Sequence, residues 1–183
     1  MPRPTLTLSA AGVAALLALA ACSPAFNWRE VRPEHTRLHA LLPCKPDKAQ
    51  KTVPLGGQPT VLSMLGCDAA GATFAIAVAD IGDAGQAADV LAKWQSATLL
   101  NMRAPLLDAP GSSSQSSSLP LPGAAAQPPA VLVKAQGRRA DGRAVLSQAA
   151  YFAQGSQVFQ AVIYAEQLKP EVAETFFAGL RFQ

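Results

Sequence analysis

The chain has 183 residues, of which half are apolar and only 15% are charged, so its length and composition fit one globular domain of modest size. Fifteen Lys and Arg residues against 12 Asp and Glu give a net charge of +3. So small an excess of positive charge does not indicate a basic surface that would bind a nucleic acid, and we expect no nucleic-acid partner. Aromatic residues make up 6% of the chain, which predicts a core built mainly from small side chains.

The first 21 residues have the pattern of an export signal. One charge, Arg3, precedes an unbroken run of small and apolar residues over 10–21. A membrane-spanning helix needs about 20 apolar residues, and this run ends after roughly a dozen, at Cys22. We therefore interpret residues 1–21 as a signal peptide that is removed, and not as part of the fold.

The run ends in Leu19-Ala20-Ala21-Cys22, which resembles the lipobox of bacterial lipoproteins. The resemblance implies that a lipoprotein signal peptidase cuts before Cys22, which then carries a diacylglycerol and an N-linked acyl chain such as palmitate. Stable anchoring in a membrane takes two anchoring elements, such as two acyl chains, and a lipidated Cys22 would carry three chains. Ser23 stands where inner-membrane lipoproteins typically have Asp, so we expect the outer membrane, with the domain in the periplasm. The alternative is an ordinary signal peptide cut after Ala21, which leaves Cys22 free.

Cys44 and Cys67 remain once Cys22 is assigned to the lipid, and they lie 23 residues apart. The exported address puts them in an oxidising compartment, and no cluster of further metal-type ligands lies nearby. A disulfide between them is therefore the plain interpretation. The alternatives are two buried free thiols, or one redox-active or nucleophilic cysteine.

Residues 22–35 contain two prolines and no regular period, so we interpret them as the lipidated N-terminus and a tether. A single domain over 36–183 follows. Alternating apolar residues predict a strand that Pro43 closes, and apolar, β-compatible runs over 60–67 and 72–79 predict a hairpin.

The next helix is the most strongly patterned element. Asp83 and Gln86 have capping-box spacing, and apolar residues then recur every three to four positions, which predicts a helix over about 84–103. Residues 105–129 are rich in Pro and Ser, so we expect a flexible insertion inside the domain rather than a boundary between two domains.

Three strands joined by tight turns are predicted beyond the insertion, and Pro170 at a first helical position begins a closing helix. The fold class is therefore α+β, an antiparallel sheet flanked by one long and one C-terminal helix. This order of elements, with the Leu42-Pro43 step and Phe176 on the last helix, resembles the PsbP-like fold of several small bacterial lipoproteins. The resemblance implies no catalytic residues.

Catalytic and metal-binding patterns are sparse in this sequence. Glu34, His35 and His39 form the one grouping of an acid with histidines. In an extended segment four residues span about 13 Å, which is too far for two ligands of one metal, so we interpret both histidines as solvated residues at a strand start. The alternative is a weak metal site, since in a helix His35 and His39 would stand one turn apart and could share a metal. The sequence has neither a nucleophile elbow nor a phosphate-binding loop, and we predict no metal and no cofactor.

Arg138, Arg139 and Arg143 surround one predicted hairpin tip and are candidates for contact with an anion or an acidic partner. The alternative is a solvated hairpin edge that resists aggregation.

These observations predict a noncatalytic lipoprotein, an accessory or interaction module that contacts an envelope protein or polymer near the membrane. One alternative is a carrier that holds a small apolar ligand between the sheet and the long helix. Another is an enzyme that uses His39 or a reduced Cys67.

Overall fold

The computed structural model describes residues 25–124 and 126–183, so the predicted signal peptide and Cys22 lie outside the described residues. Ten strands, a single 3-10 turn and two α-helices form within that part of the chain. Their bounds are β1 (Arg29–Val31), β2 (Leu38–Leu42), β3 (Asp47–Leu55), β4 (Gln58–Ala69), β5 (Ala72–Asp80), the 3-10 turn (Ala84–Gln86), α1 (Ala87–Asn101), β6 (Gln115–Ser118), β7 (Val131–Arg138), β8 (Ala144–Gln154), β9 (Gln157–Ala165), α2 (Pro170–Ala178) and β10 (Arg181–Phe182).

The strands form two antiparallel sheets. The large sheet has seven strands in the order β3-β4-β5-β9-β8-β7-β6, and the small sheet has three in the order β1-β2-β10. With one long helix and one C-terminal helix, the predicted α+β class is confirmed. Among the described residues, no helix has both the length and the hydrophobicity that crossing a membrane requires.

Both faces of the large sheet are covered, which explains why its central strands are almost continuously apolar. On β9, Phe159 and Ile163 pack against α2 and the small sheet, in one hydrophobic cluster. Val158 and Val162 point to the other face and belong to a second cluster, together with the apolar residues of α1. The fold therefore has three layers, with α1 alone on one side of the large sheet.

The disulfide between Cys44 and Cys67 is present, with the two Cα atoms 6.0 Å apart. Cys44 follows β2 of the small sheet, and Cys67 belongs to β4 of the large sheet. The bond therefore joins two layers of the domain, as the pairing of the two cysteines predicts.

The segment interpreted as a tether, 22–35, contains the first strand of the fold. Arg29–Val31 pairs with β2, and the backbone N–H of Asn27 donates to the Pro43 carbonyl at 2.7 Å. Phe26 and Trp28 stack with ring centroids 5.9 Å apart and both lie against Phe74. The domain thus begins before residue 36, because aromatic packing holds a segment whose own pattern is not that of a strand.

The 105–129 segment also departs from the expected flexible insertion. Gln115–Ser118 forms β6, the edge strand beside β7. The hydroxyl of buried Ser114 donates to the Pro105 carbonyl at 2.6 Å, and Leu119 and Leu121 pack against the core. A run of serines forms a strand because β7 offers it a free edge.

Candidate functional site

The loop between β7 and β8 brings the three candidate arginines to one end of the large sheet. The backbone N–H of Arg139 donates to the Arg143 carbonyl at 2.8 Å, and that of Gly142 donates to the Arg139 carbonyl at 3.0 Å. Gly142 has φ +85°, a conformation that glycine adopts without strain. The predicted Asp-Gly hairpin tip therefore positions Arg138, Arg139 and Arg143 together.

The three arginines differ in their partners. Arg143 pairs with Asp141 at 2.8 Å and with Glu166 at 3.3 Å. The Arg143 backbone N–H and guanidinium hold the pKa of Asp141 below its ordinary value, and Asp141 in turn raises the pKa of Arg143. The positive charge of Arg143 is thus already matched by two carboxylates.

Arg138 and Arg139 have no carboxylate within 4.0 Å among the described residues. Arg138 donates from Nη1 to the Gly142 carbonyl at 3.1 Å. The Nε of Arg139 is buried, and no described residue accepts a hydrogen bond from it. These two guanidinium groups are therefore the ones in the cluster that are available to an anion.

Both of them line a pocket of about 440 Å³ beside α1, which we call the arginine pocket. Its other walls come from the C-terminal half of α1, from Val145 on β8 and from β9. None of the residues that line it is acidic, and those with polar or aromatic side chains include Trp94, Thr98, Asn101, Gln160 and Tyr164.

A hydrogen-bond network fixes the floor of the arginine pocket. Gln160 is buried, and its Nε2 donates to Thr98 Oγ1 at 3.1 Å and to Tyr151 Oη at 2.9 Å. The rings of Trp94 and Tyr151 meet edge to face, with centroids 6.3 Å apart. Because Trp94 and Thr98 lie one helical turn apart, one face of α1 supplies both residues to this network.

Two tyrosines of this region stay protonated at physiological pH. Burial raises the pKa of Tyr151, against the smaller lowering effect of its hydrogen bonds with Thr98 and Gln160. Burial also raises the pKa of Tyr164 far above its ordinary value. The Tyr164 hydroxyl, in the wall of the arginine pocket, is thus a hydrogen-bond donor and not a phenolate.

The end of α1 is held against β7 at the edge of the arginine pocket, where Met102 and Arg138 both line it. The backbone N–H of Arg138 donates to the Met102 carbonyl at 2.6 Å. This approach requires glycine at position 137, since a Cβ there would overlap the Met102 carbonyl oxygen.

A second depression, of about 510 Å³, lies between α1 and the β3–β4 hairpin and shares Trp94, Thr98 and Asn101 with the arginine pocket. Its walls include Val53, Leu55 and Leu62, with Lys93 at its edge. We call it the apolar groove.

The structure separates the members of the histidine grouping. His39 is buried, and its Nδ1 lies 2.8 Å from Glu30 Oε1, while Arg181 Nη2 lies 2.6 Å from Glu30 Oε2. Hydrogen bonds from Arg181 and His39 lower the pKa of Glu30 to about 2. The interpretation of His39 as a solvated residue is therefore wrong, because Glu30 from β1 covers it. His35 is exposed, and residues 25–124 and 126–183 contain no group of three metal-type ligands.

Sequence reasoning found the arginines but missed the residues that make the rest of the pocket. Gln160 carries the one usable signal, since it is the one amide inside the apolar run over 158–165, and such a residue is buried only with hydrogen-bond partners. Trp94 and Tyr164 carry no such signal, because an aromatic residue on a helix or strand is ordinarily part of the core.

Comparison with known proteins identifies neither a family model nor a curated relative that matches this chain. Among solved structures, a protein from Bacteroides thetaiotaomicron VPI-5482 is 12% identical, with 80% of this chain and 45% of that chain covered and a TM-score of 0.44. The chain thus spans less than half the length of that protein. A protein of unknown function from Pseudomonas aeruginosa, PA94, is 18% identical, with 76% of this chain and 83% of that chain covered and a TM-score of 0.36.

Proposed function

We propose that this protein is a lipoprotein of the bacterial outer membrane, anchored through lipids on Cys22, whose periplasmic domain is a noncatalytic accessory module with the PsbP-like order of elements. The lipobox-like sequence Leu19-Ala20-Ala21-Cys22 is the observation that carries this proposal. The disulfide between Cys44 and Cys67 supports it, because such bonds persist in an oxidising compartment.

Packing at the start of the domain supports a position close to the membrane surface. Phe26 and Trp28 lie against the core, and Phe26 follows Cys22 by only a few residues. An extended chain spans at most about 3.5 Å per residue, so the lipid and the first core contact are separated by roughly 14 Å or less. A partner of this domain is therefore expected within the envelope, next to the bilayer.

Fractionation of cells that express Cys22→Ser tests the anchor. The wild-type protein is expected in the outer-membrane fraction, and the variant is expected unprocessed or released, without a lipid. Ser23→Asp is the matched variant, since it keeps the lipid and is expected to move the protein to the inner membrane. If Cys22→Ser still fractionates with the outer membrane in the same yield, the anchor is not a lipid on Cys22.

A noncatalytic role agrees with the surroundings of Cys67 and His39, the two residues that the enzyme hypothesis assigns to catalysis. The sulfur of Cys67 belongs to the disulfide, and His39 is buried against Glu30. We expect cross-linking in intact cells to link the domain to one envelope protein or polymer reproducibly. Cross-links spread evenly over abundant envelope proteins would contradict an interaction module.

The apolar groove favours a second function, that of a carrier for a small apolar ligand. Val53, Leu55 and Leu62 give it an apolar wall, and its volume of about 510 Å³ suits a small molecule. Native mass spectrometry of the protein released gently from cells would detect a bound ligand. The variant Leu62→Lys places a charge in the apolar wall of the groove. It is expected to abolish binding of that ligand without unfolding the sheet.

A further inference from the structure

We propose that the arginine pocket binds a small organic anion, one that joins a phosphate or carboxylate to a flat apolar group. The proposal does not depend on the lipid anchor. The arginine pocket adjoins the apolar groove, with which it shares Trp94, Thr98 and Asn101.

Charge is the first argument. Arg143 already pairs with Asp141 and Glu166, whereas Arg138 and Arg139 face the pocket without a carboxylate partner among the described residues. A guanidinium group supplies several N–H donors in one plane, which suits the oxygens of a carboxylate or phosphate. No acidic residue lines the pocket itself, and Glu166 lines the neighbouring depressions that Arg138 and Arg139 also border.

Unsatisfied hydrogen bonding is the second argument. The buried Nε–H of Arg139 has no acceptor in the described chain. A buried donor without a partner destabilises the folded state, so a shift of the Arg139 side chain that brings this N–H to an oxygen of a bound anion is favourable. The protonated hydroxyl of Tyr164 lines the same pocket and is a further donor that an anion can use.

The apolar part of the wall determines the rest of the ligand. Trp94, Met102 and Val145 line the pocket together with Tyr164, and the volume of about 440 Å³ exceeds what an inorganic phosphate occupies. Aromatic walls favour a flat group that stacks or meets them edge to face. The ligand class is therefore an aryl or similarly flat anion, which can contact the arginines and the apolar wall at the same time.

Nuclear magnetic resonance of the mature, detergent-extracted protein tests this with phenyl phosphate as the probe. The indole N–H resonance of Trp94 is expected to shift during the titration, while that of Trp28, on the other face of the large sheet, stays in place. Inorganic phosphate and glycerol 3-phosphate, which reproduces a lipid headgroup, are expected to bind at least about tenfold more weakly, the factor that 1.4 kcal/mol represents.

Two arginine variants make the test specific. Arg139→Gln is expected to raise the dissociation constant of phenyl phosphate about tenfold or more, whereas Arg29→Gln, at an exposed arginine of β1 that does not line the pocket, leaves it within about twofold. Thermal unfolding of both variants shows whether the fold is intact. The proposal is overturned by any of three results: no Trp94 shift at millimolar phenyl phosphate, equal weakening by the two variants, or equally tight binding of glycerol 3-phosphate, which would indicate a headgroup site.

Discussion

Gly137 and Met102 approach each other so closely that no side chain fits at position 137, where a Cβ would overlap the Met102 carbonyl oxygen. The same carbonyl accepts the backbone N–H of Arg138 at 2.6 Å. One backbone contact thus holds the end of α1 against β7 and brings Arg138 and Arg139 beside Trp94. Neither residue of the Gly137 and Met102 pair has a pattern that predicts this contact.

Gly137→Ala is expected to destabilise the protein by about 1–3 kcal/mol, because the added methyl group meets backbone that cannot rotate away. Chemical denaturation monitored by circular dichroism measures this. Gly85→Ala is the matched control, since its Cβ would lie 3.1 Å from the exposed side chain of Asp83, which can move. We expect the control within about 0.5 kcal/mol of wild type, and equal effects of the two variants would contradict the account.

Replacing both Cys44 and Cys67 by Ala is expected to lower the free energy of unfolding by about 3 kcal/mol. The bond closes a loop with a sequence separation of 23, and opening it enlarges the unfolded ensemble. Urea titrations of the oxidised, reduced and double-alanine proteins give the value. Reduced wild type and the double variant should agree, and an unchanged midpoint after reduction would show that the bond contributes nothing.

Glu30 is expected to give the protein a pH-dependent contribution to stability. Its pKa falls to about 2 in the folded state against an ordinary value of 4.5. The contribution is therefore complete above pH 4.5 and is lost as the pH falls through 2, because the unfolded chain takes up the proton first. The difference in urea midpoint between wild type and Glu30→Gln should thus shrink between pH 5 and pH 2.5.

Glu174→Gln is the control for that comparison, since Glu174 lies on the exposed side of α2 and outside the network of Glu30, His39 and Arg181. Its difference from wild type should stay nearly constant over the same pH interval. A Glu30→Gln difference that also stays constant would contradict a role for the ionised carboxylate.

Trp28→Ala is expected to loosen the first strand without unfolding the domain. The indole packs on Phe26 and Phe74, and its loss removes the contacts that hold β1 against the core. Limited trypsin digestion should then cut after Arg29 about tenfold faster, as a local loss of 1.4 kcal/mol implies. Cleavage rates that match wild type would mean that strand pairing alone holds this segment.

The sequence predicts the elements whose own residues carry a period or a cap. The long helix, the closing helix at Pro170 and the hairpin at Gly142 all follow from such local patterns, and the disulfide follows from counting cysteines. Arg29–Val31 and Gln115–Ser118 do not, because each becomes a strand only where a neighbouring strand presents a free edge. Their formation depends on tertiary pairing that no short window contains.

The residues of the candidate site also fall into two groups, those that a local pattern predicts and those that only tertiary contacts bring together. Three arginines near one turn are visible in the sequence, and so is Asp141 beside Arg143, but the second carboxylate that pairs with Arg143 is Glu166, which lies 23 residues away. Gln160 and Thr98 are 62 residues apart, and only the packing of α1 on β9 joins them. Contacts between distant residues therefore decide which of the predicted arginines are free to bind.

Intact mass spectrometry of the mature protein extracted from membranes, before and after reduction and alkylation, tests the central claim most directly. The account predicts a chain that begins at Cys22 with the added mass of a diacylglycerol and an acyl chain, and two thiols that become alkylated only after reduction. A chain without lipid, or one that retains residues 1–21, would contradict the anchored lipoprotein.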